Sequence, residues 1–200
     1  MRRFDRQLRP GGKLARLVQY DLCQLAGTVS DRKYEKEGGP GLAACAELIR
    51  RYSTQPAVDL RHLVRWVFFN LYVGNNDSHA NNLSIYSVPG QGVTLTPFYD
   101  LTSTRLCPGL SPEFAFAIGG EVRPGEMRAD HLALMARKLG MQPRFLVQQA
   151  REVADRLPAA MNQAAQAIAA ALTPSARTLA ERLERFVSST TKKLAARLTA

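Results

Sequence analysis

From Gly41 the apolar positions of this chain fall at helical spacing: Leu42, Cys45, Leu48, Ile49 and Tyr52 share one face. A stronger run follows. Leu60, Leu63, Val64, Val67, Phe68, Leu71 and Tyr72, preceded by Asp59 in an N-cap role, predict a central buried helix. Gly74 and the small polar residues Asn75, Asn76 and Asp77 then stop it and open a loop.

Beyond the loop the period changes. Leu83 to Tyr86 and Val93 to Thr96 flank the turn Pro89-Gly90-Gln91-Gly92 and predict a β-hairpin, with Phe114 to Ile118 as a third short strand. The remainder reads as helices over about 130–139, 144–157, 158–172 and 175–198. Gly140 closes the first of these, and Pro158 starts the third. In the last, Leu179, Leu183, Phe186, Val187, Leu194 and Leu198 form one apolar face. Upstream, Gly11-Gly12 and Gly38-Gly39-Pro40-Gly41 mark loops around a strand or short helix near 14–26. The expected fold is mostly α, of the α+β class, in a single domain over 1–200. It comprises a loop-rich entry with the first helices over 1–58, the central helix, loop and hairpin over 59–121, and a helical tail over 122–200.

Composition narrows the setting. The 200 residues, 46% of them hydrophobic, suffice for one well-packed domain. No apolar run approaches the roughly 20 residues of a membrane helix, so a cytoplasmic protein without a membrane partner is expected. Cys23, Cys45 and Cys107 form no C-x-x-C pair and read as reduced thiols. The net charge of +10 raises a nucleic-acid reading, but the charge lies at the ends. Between residues 76 and 121 the only basic side chain is Arg105, against Asp77, Asp100, Glu113 and Glu121. A locally acidic centre suits a cation site.

That centre carries the chemistry. Asp77 and Asn82 stand at the Asp-to-Asn spacing of the protein-kinase catalytic loop, and Asp100 follows the hairpin in Pro97-Phe98-Tyr99-Asp100. Phosphoryl transfer needs a carboxylate to take the attacking hydroxyl's proton, and an amide oxygen with a second carboxylate to hold magnesium on the phosphates. The pattern D-x-x-x-x-N alone is common, and no His-Arg precedes Asp77.

Several motifs together are far more specific. Arg3-Phe4-Asp5-Arg6, Gln19-Tyr20-Asp21-Leu22-Cys23-Gln24, Lys33-Tyr34-Glu35, Gly38-Gly39-Pro40, the loop from Gly74 to Asn82, and Pro97 to Asp100 resemble, in order and spacing, the C-terminal part of HipA-family toxin kinases. The resemblance implies the C-lobe of a protein-kinase-like fold, a helical bundle with a small β-hairpin bearing the metal-binding residues. It implies Asp77 as catalytic base, Asn82 and Asp100 as Mg2+ ligands, and His79, Ala80, Asn81, Asn82 and Tyr99 beside the ATP phosphates. It also implies a protein Ser/Thr substrate and a DNA-binding antitoxin partner. Asn81 stands where the family commonly carries a basic residue. The chain starts where the family's C-terminal lobe starts, and no G-x-G-x-x-G or Walker motif is present, so weak ATP binding by the isolated chain is expected; a separate N-lobe subunit, a truncation and a complete product stand as the alternatives. A catalytically inactive, protein-binding kinase remnant is the second reading. Direct nucleic-acid contact by the basic flanks ranks last. For Phe4-Asp5-Arg6 a buried ion pair inside the lobe, rather than a site, is expected.

Overall fold

The computed structural model describes residues 3–200, in two compact units. The first runs to Leu63 and resumes over Ser78–Asp100; the second comprises Val64–Asp77 and Leu101–Ala200.

In the first unit β1 (Arg6–Leu8) pairs antiparallel with β2 (Leu14–Arg16), and β3 (Gln19–Asp21), β4 (Ser84–Val88) and β5 (Gly92–Leu95) form an antiparallel sheet in that spatial order. The expected hairpin is therefore two strands of three, the third supplied from far upstream. Its register sets Tyr20 against Ile85 and Ile85 against Leu95. Asp21 ends β3 and starts α1 (Leu22–Leu25): its carboxylate accepts the Gln24 N–H at 2.8 Å, and the Gln24 side chain accepts the Asp21 N–H at 3.0 Å. The helix α2 (Leu42–Tyr52) buries Leu42, Cys45, Ala46 and Ile49, the face its spacing predicts.

Asp59 is not an N-cap. The helix α3 (Pro56–Val73) begins three residues earlier, with proline in its first turn, where a missing N–H removes no helical hydrogen bond. Asp59 is instead fully buried and accepts from Ser53 Oγ at 2.6 Å, Thr94 Oγ1 at 2.8 Å and the Leu95 N–H at 3.0 Å. It ties the start of α3 to β5.

The second unit is helical: the rest of α3, then α4 (Ala129–Lys138), α5 (Pro143–Ile168) and α6 (Pro174–Leu198). Its core gathers Trp66, Phe68, Tyr72, Phe116 and Ile118 with Val187, Leu194 and Leu198 of α6. Arg65 reaches Gln149 at 2.7 Å and Glu152 at 2.6 Å on α5, and the Tyr72 hydroxyl donates to the Ala150 carbonyl at 3.1 Å.

Three expectations differ here. Phe114 to Ile118 is no strand, its ladder being limited to an Ile118–Glu121 bridge and a Phe114 N–H bond to Val122. The helices expected on either side of Pro158 are one, since proline removes a single helical bond while the flanking Ala-rich sequence favours the helix strongly. Leu179 is 56% exposed, and Thr191 takes a buried place on α6 that an apolar pattern does not mark. Among the described residues no helix is long and apolar enough to cross a membrane.

Candidate functional site

In the first unit the segment after Ser78 is compact because its polar groups bond one another. The 3-10 turn Ala80–Asn82 is held by the Asn82 side-chain oxygen, which accepts the His79 N–H at 3.0 Å, and by the Asn82 N–H, which donates to the His79 carbonyl at 2.9 Å. His79, Ala80 and Asn82 are buried, and the His79 ring meets Tyr34 edge-on at 5.3 Å. This turn leads directly into β4.

The hairpin then returns the chain to the same place. The Tyr99 hydroxyl donates to the Asn81 carbonyl at 2.7 Å and lies 2.6 Å from Ser84 Oγ, while its ring stacks on Phe4 at 6.4 Å. Burial pushes the Tyr99 hydroxyl pKa up, the charges of Asp21 and Asp100 add to that, and the Ser84 hydrogen bond opposes it. One residue on, the Asn82 amide nitrogen donates to Asp100 Oδ2 at 2.7 Å. Asp100 has φ 56, the only positive φ of a non-glycine among the described residues. A left-handed backbone costs about 1–2 kcal/mol for most residues and less for Asp, so such a residue persists where its surroundings hold it.

The donor set is compatible with magnesium. Asp100 offers a carboxylate and Asn82 an amide oxygen with one lone pair beyond its bond from His79, both hard oxygen donors. Magnesium takes few protein ligands and completes its shell with water and phosphates. No group of three or more His, Cys, Asp or Glu side chains suited to a metal ion occurs among the described residues.

Asp77, half-buried, closes the α3 loop of the second unit. That loop is ordered by buried amides. Asn75 donates to the Asn70 side chain at 2.8 Å, Asn70 donates to the Trp66 carbonyl at 2.8 Å, and the Asn76 N–H donates to Thr104 Oγ1 at 2.8 Å. Gly74 has φ 70, and the Arg105 N–H bonds its carbonyl at 3.0 Å.

Of the predicted site residues, the fold joins Asn82 to Asp100 and Asn81 to Tyr99. Ala80 is fully buried. Sequence reasoning missed Ser84 and Asn70. Ser84 sits in an alternating strand and carried no signal, whereas Asn70 was a polar residue inside an otherwise apolar helix, the mark of a buried hydrogen bond. At Phe4-Asp5-Arg6 an ion pair forms, partly buried rather than buried: Asp5 pairs with Arg6 and, at 2.8 Å, with the exposed Arg3, whose hydrogen bonds hold the Asp5 carboxyl below its usual pKa.

Residues 1–188 match the family model of the HipA-like C-terminal domain. A Sinorhizobium fredii protein named "Putative kinase Y4mE" is 42% identical over 139 residues, 70% of this chain and 33% of its own. The serine/threonine-protein kinase toxin HipA of Shewanella oneidensis is 31% identical over 170 residues, 80% of this chain and 39% of its own. The fold matches, with a TM-score of 0.82 and 25% identity over 98% of this chain and 49% of the other, a chain in the solved complex of the Shewanella oneidensis toxin–antitoxin system HipA, HipB and operator DNA. This chain spans 33%, 39% and 49% of these three relatives.

Proposed function

The chain belongs to the HipA-like C-terminal domain family, and from that premise we propose that it is the catalytic lobe of a serine/threonine protein kinase that uses Mg-ATP. The observation that carries the reading is the bond between Asn82 and Asp100, the amide and carboxylate that kinase chemistry assigns to magnesium, with Asp100 in a left-handed backbone. In this reading Asn82 and Asp100 hold the metal, which when bound neutralises charge on the phosphates. Asp77 accepts the proton of the attacking Ser or Thr hydroxyl. The segment from His79 to Asn82 faces the nucleotide, with Tyr99 holding the Asn81 carbonyl in place. Following the Shewanella complex, a DNA-binding antitoxin is the proposed partner, within a toxin–antitoxin system.

Rate in this reaction class comes from positioning and from neutralising charge on several sides. The test is transfer of the labelled γ-phosphoryl group of ATP to a protein substrate, with and without the N-terminal half of the Shewanella kinase supplied as a separate polypeptide. Transfer that depends on the added half and is lost in Asp77→Ala supports the proposal. Absence of transfer in both cases, with antitoxin still bound, identifies a binding module without catalysis.

A further inference from the structure

The second unit gathers three cations around one small pocket. A depression of about 160 Å3 is lined by Arg105, by Lys193 and Arg197 of α6, and by Gly74, Asn76 and Phe186, with no carboxylate in its lining. That volume is several times the roughly 30 Å3 a water occupies in the liquid, so one trapped water does not fill it. Gly74 is what lets the pocket close: a Cβ there would come 2.6 Å from Phe186 Cε1 and 2.9 Å from Arg105 Cγ.

The arrangement is unfavourable as it stands. Lys193 and Arg197 are four apart on one helix, a like-charge spacing that opposes folding, and Arg105 adds a third charge. Arg197 is anchored on the Gly125 and Pro124 carbonyls, while Arg105 and Lys193 have no carboxylate partner among the described residues. A second observation is independent of the charge. Asn76 is 5% exposed; its amide nitrogen donates to the Pro112 carbonyl at 2.7 Å and the Ser111 carbonyl at 3.3 Å, which fixes its orientation. Its buried Oδ1 has no hydrogen-bond partner. The pocket thus combines a cationic rim with a lining residue whose buried acceptor is unmatched, which suits a ligand that is anionic and also carries a donor.

We infer that this pocket binds a phosphate monoester, its phosphate oxygens on Arg105, Lys193 and Arg197 and a P–OH or neighbouring N–H donor on Asn76 Oδ1. A bare carboxylate offers the charge without the donor. The ester comes from a small phosphorylated metabolite or from a phosphorylated Ser or Thr of a protein, and the two are separable by experiment. Binding requires no phosphotransfer and is tested apart from it.

The experiment is calorimetric titration of the 200-residue chain near pH 6, where about half of a phosphomonoester carries its second proton. The probes are O-phosphoserine, a phosphoserine peptide, its unphosphorylated form and sodium sulfate at constant ionic strength. Saturable binding of the phosphorylated probes is expected, weakened roughly tenfold or more in each of Arg105→Ala and Lys193→Ala, the loss of one charged hydrogen bond. Unchanged thermal midpoints establish that these exposed substitutions leave the fold intact. A peptide that binds more tightly than phosphoserine assigns a phosphoprotein, and equal affinities assign a small ester. No binding, unaltered binding in the double variant, or sulfate binding as tightly as phosphoserine, which marks an adventitious ion only, overturns the inference.

Discussion

The Asn82 amide nitrogen lies 2.7 Å from Asp100 Oδ2, so a side chain of the turn before β4 is bonded to a residue five beyond the end of β5. The hairpin between them is what makes this contact reproducible: β4 and β5 pair in register from Ile85–Leu95 to Val88–Gly92, and Tyr99 fastens the exit to the Asn81 carbonyl. The paired strands and the Tyr99 anchor bring the turn before β4 and the segment after β5 together, which positions the side chains of the proposed magnesium ligands.

Because Asp100 is held at φ 56, its substitutions separate backbone strain from chemistry. Asp100→Gly relieves the left-handed cost while losing the bond to Asn82, and changes stability by less than about 1 kcal/mol. Asp100→Ala loses the bond and keeps the strain, and is less stable than the glycine variant by about 1 kcal/mol. Urea denaturation of the pair checks this. Equal stabilities would show that residue 100 is not constrained to that conformation.

Asp59→Ala leaves Ser53 Oγ, Thr94 Oγ1 and the Leu95 N–H without their shared acceptor in a fully buried place. A loss of about 3 kcal/mol is expected from the unsatisfied donors, with Asp59→Asn milder because its amide oxygen still accepts. A urea midpoint within error of the parent for Asp59→Ala contradicts the assignment.

The amphipathic helices were legible because their burial follows spacing, as Leu42, Cys45 and Ile49 show, and the hairpin was legible from its turn. A strand or short helix was legible near 14–26, where β3 lies, but its pairing with β4 was not, because pairing across some sixty residues leaves no local mark. Asp59 was misplaced since an acidic residue near a helix start suits both an N-cap and a buried acceptor, and only β5 decides between them. Pro158 was overweighted: its local cost is real, but a long Ala-rich helix outweighs it. The motifs single out Asp77, Asn82, Tyr99 and Asp100 as candidates. The bonds of Asn82 to Asp100 and of Tyr99 to Asn81 and Ser84 required the fold, since no spacing rule pairs residues through a hairpin.

Thiol chemistry separates the cysteines. Cys23 and Cys45 are buried, and burial pushes both thiols up, Cys23 to about 11, whereas Cys107 is exposed. A thiol reagent at neutral pH should modify Cys107 rapidly and the other two only on unfolding. Rapid reaction of more than one thiol in the native chain contradicts this packing.

Alkali should unfold the chain through its buried phenols. Desolvation raises the folded-state pKa of both Tyr72 and Tyr99. Their neutral forms therefore stabilise the fold fully below the unfolded phenol value of about 10, and this contribution is lost as pH rises beyond it. Melting temperature should fall from about pH 10 upward, and Tyr72→Phe should flatten that decline. An undiminished slope in Tyr72→Phe assigns the alkaline loss to other groups.

The central claim is that Asn82 and Asp100 hold the nucleotide's metal, and paramagnetic broadening tests it even at weak affinity. Mn2+-ATP, standing in for Mg2+-ATP, is titrated into isotopically labelled chain, and the backbone amide signals are followed by NMR. The account predicts early, selective loss of the signals of Asn82, Asp100 and their neighbours, restored by excess Mg2+-ATP and absent in Asp100→Ala. Broadening centred elsewhere, or persisting unchanged in Asp100→Ala, would contradict it.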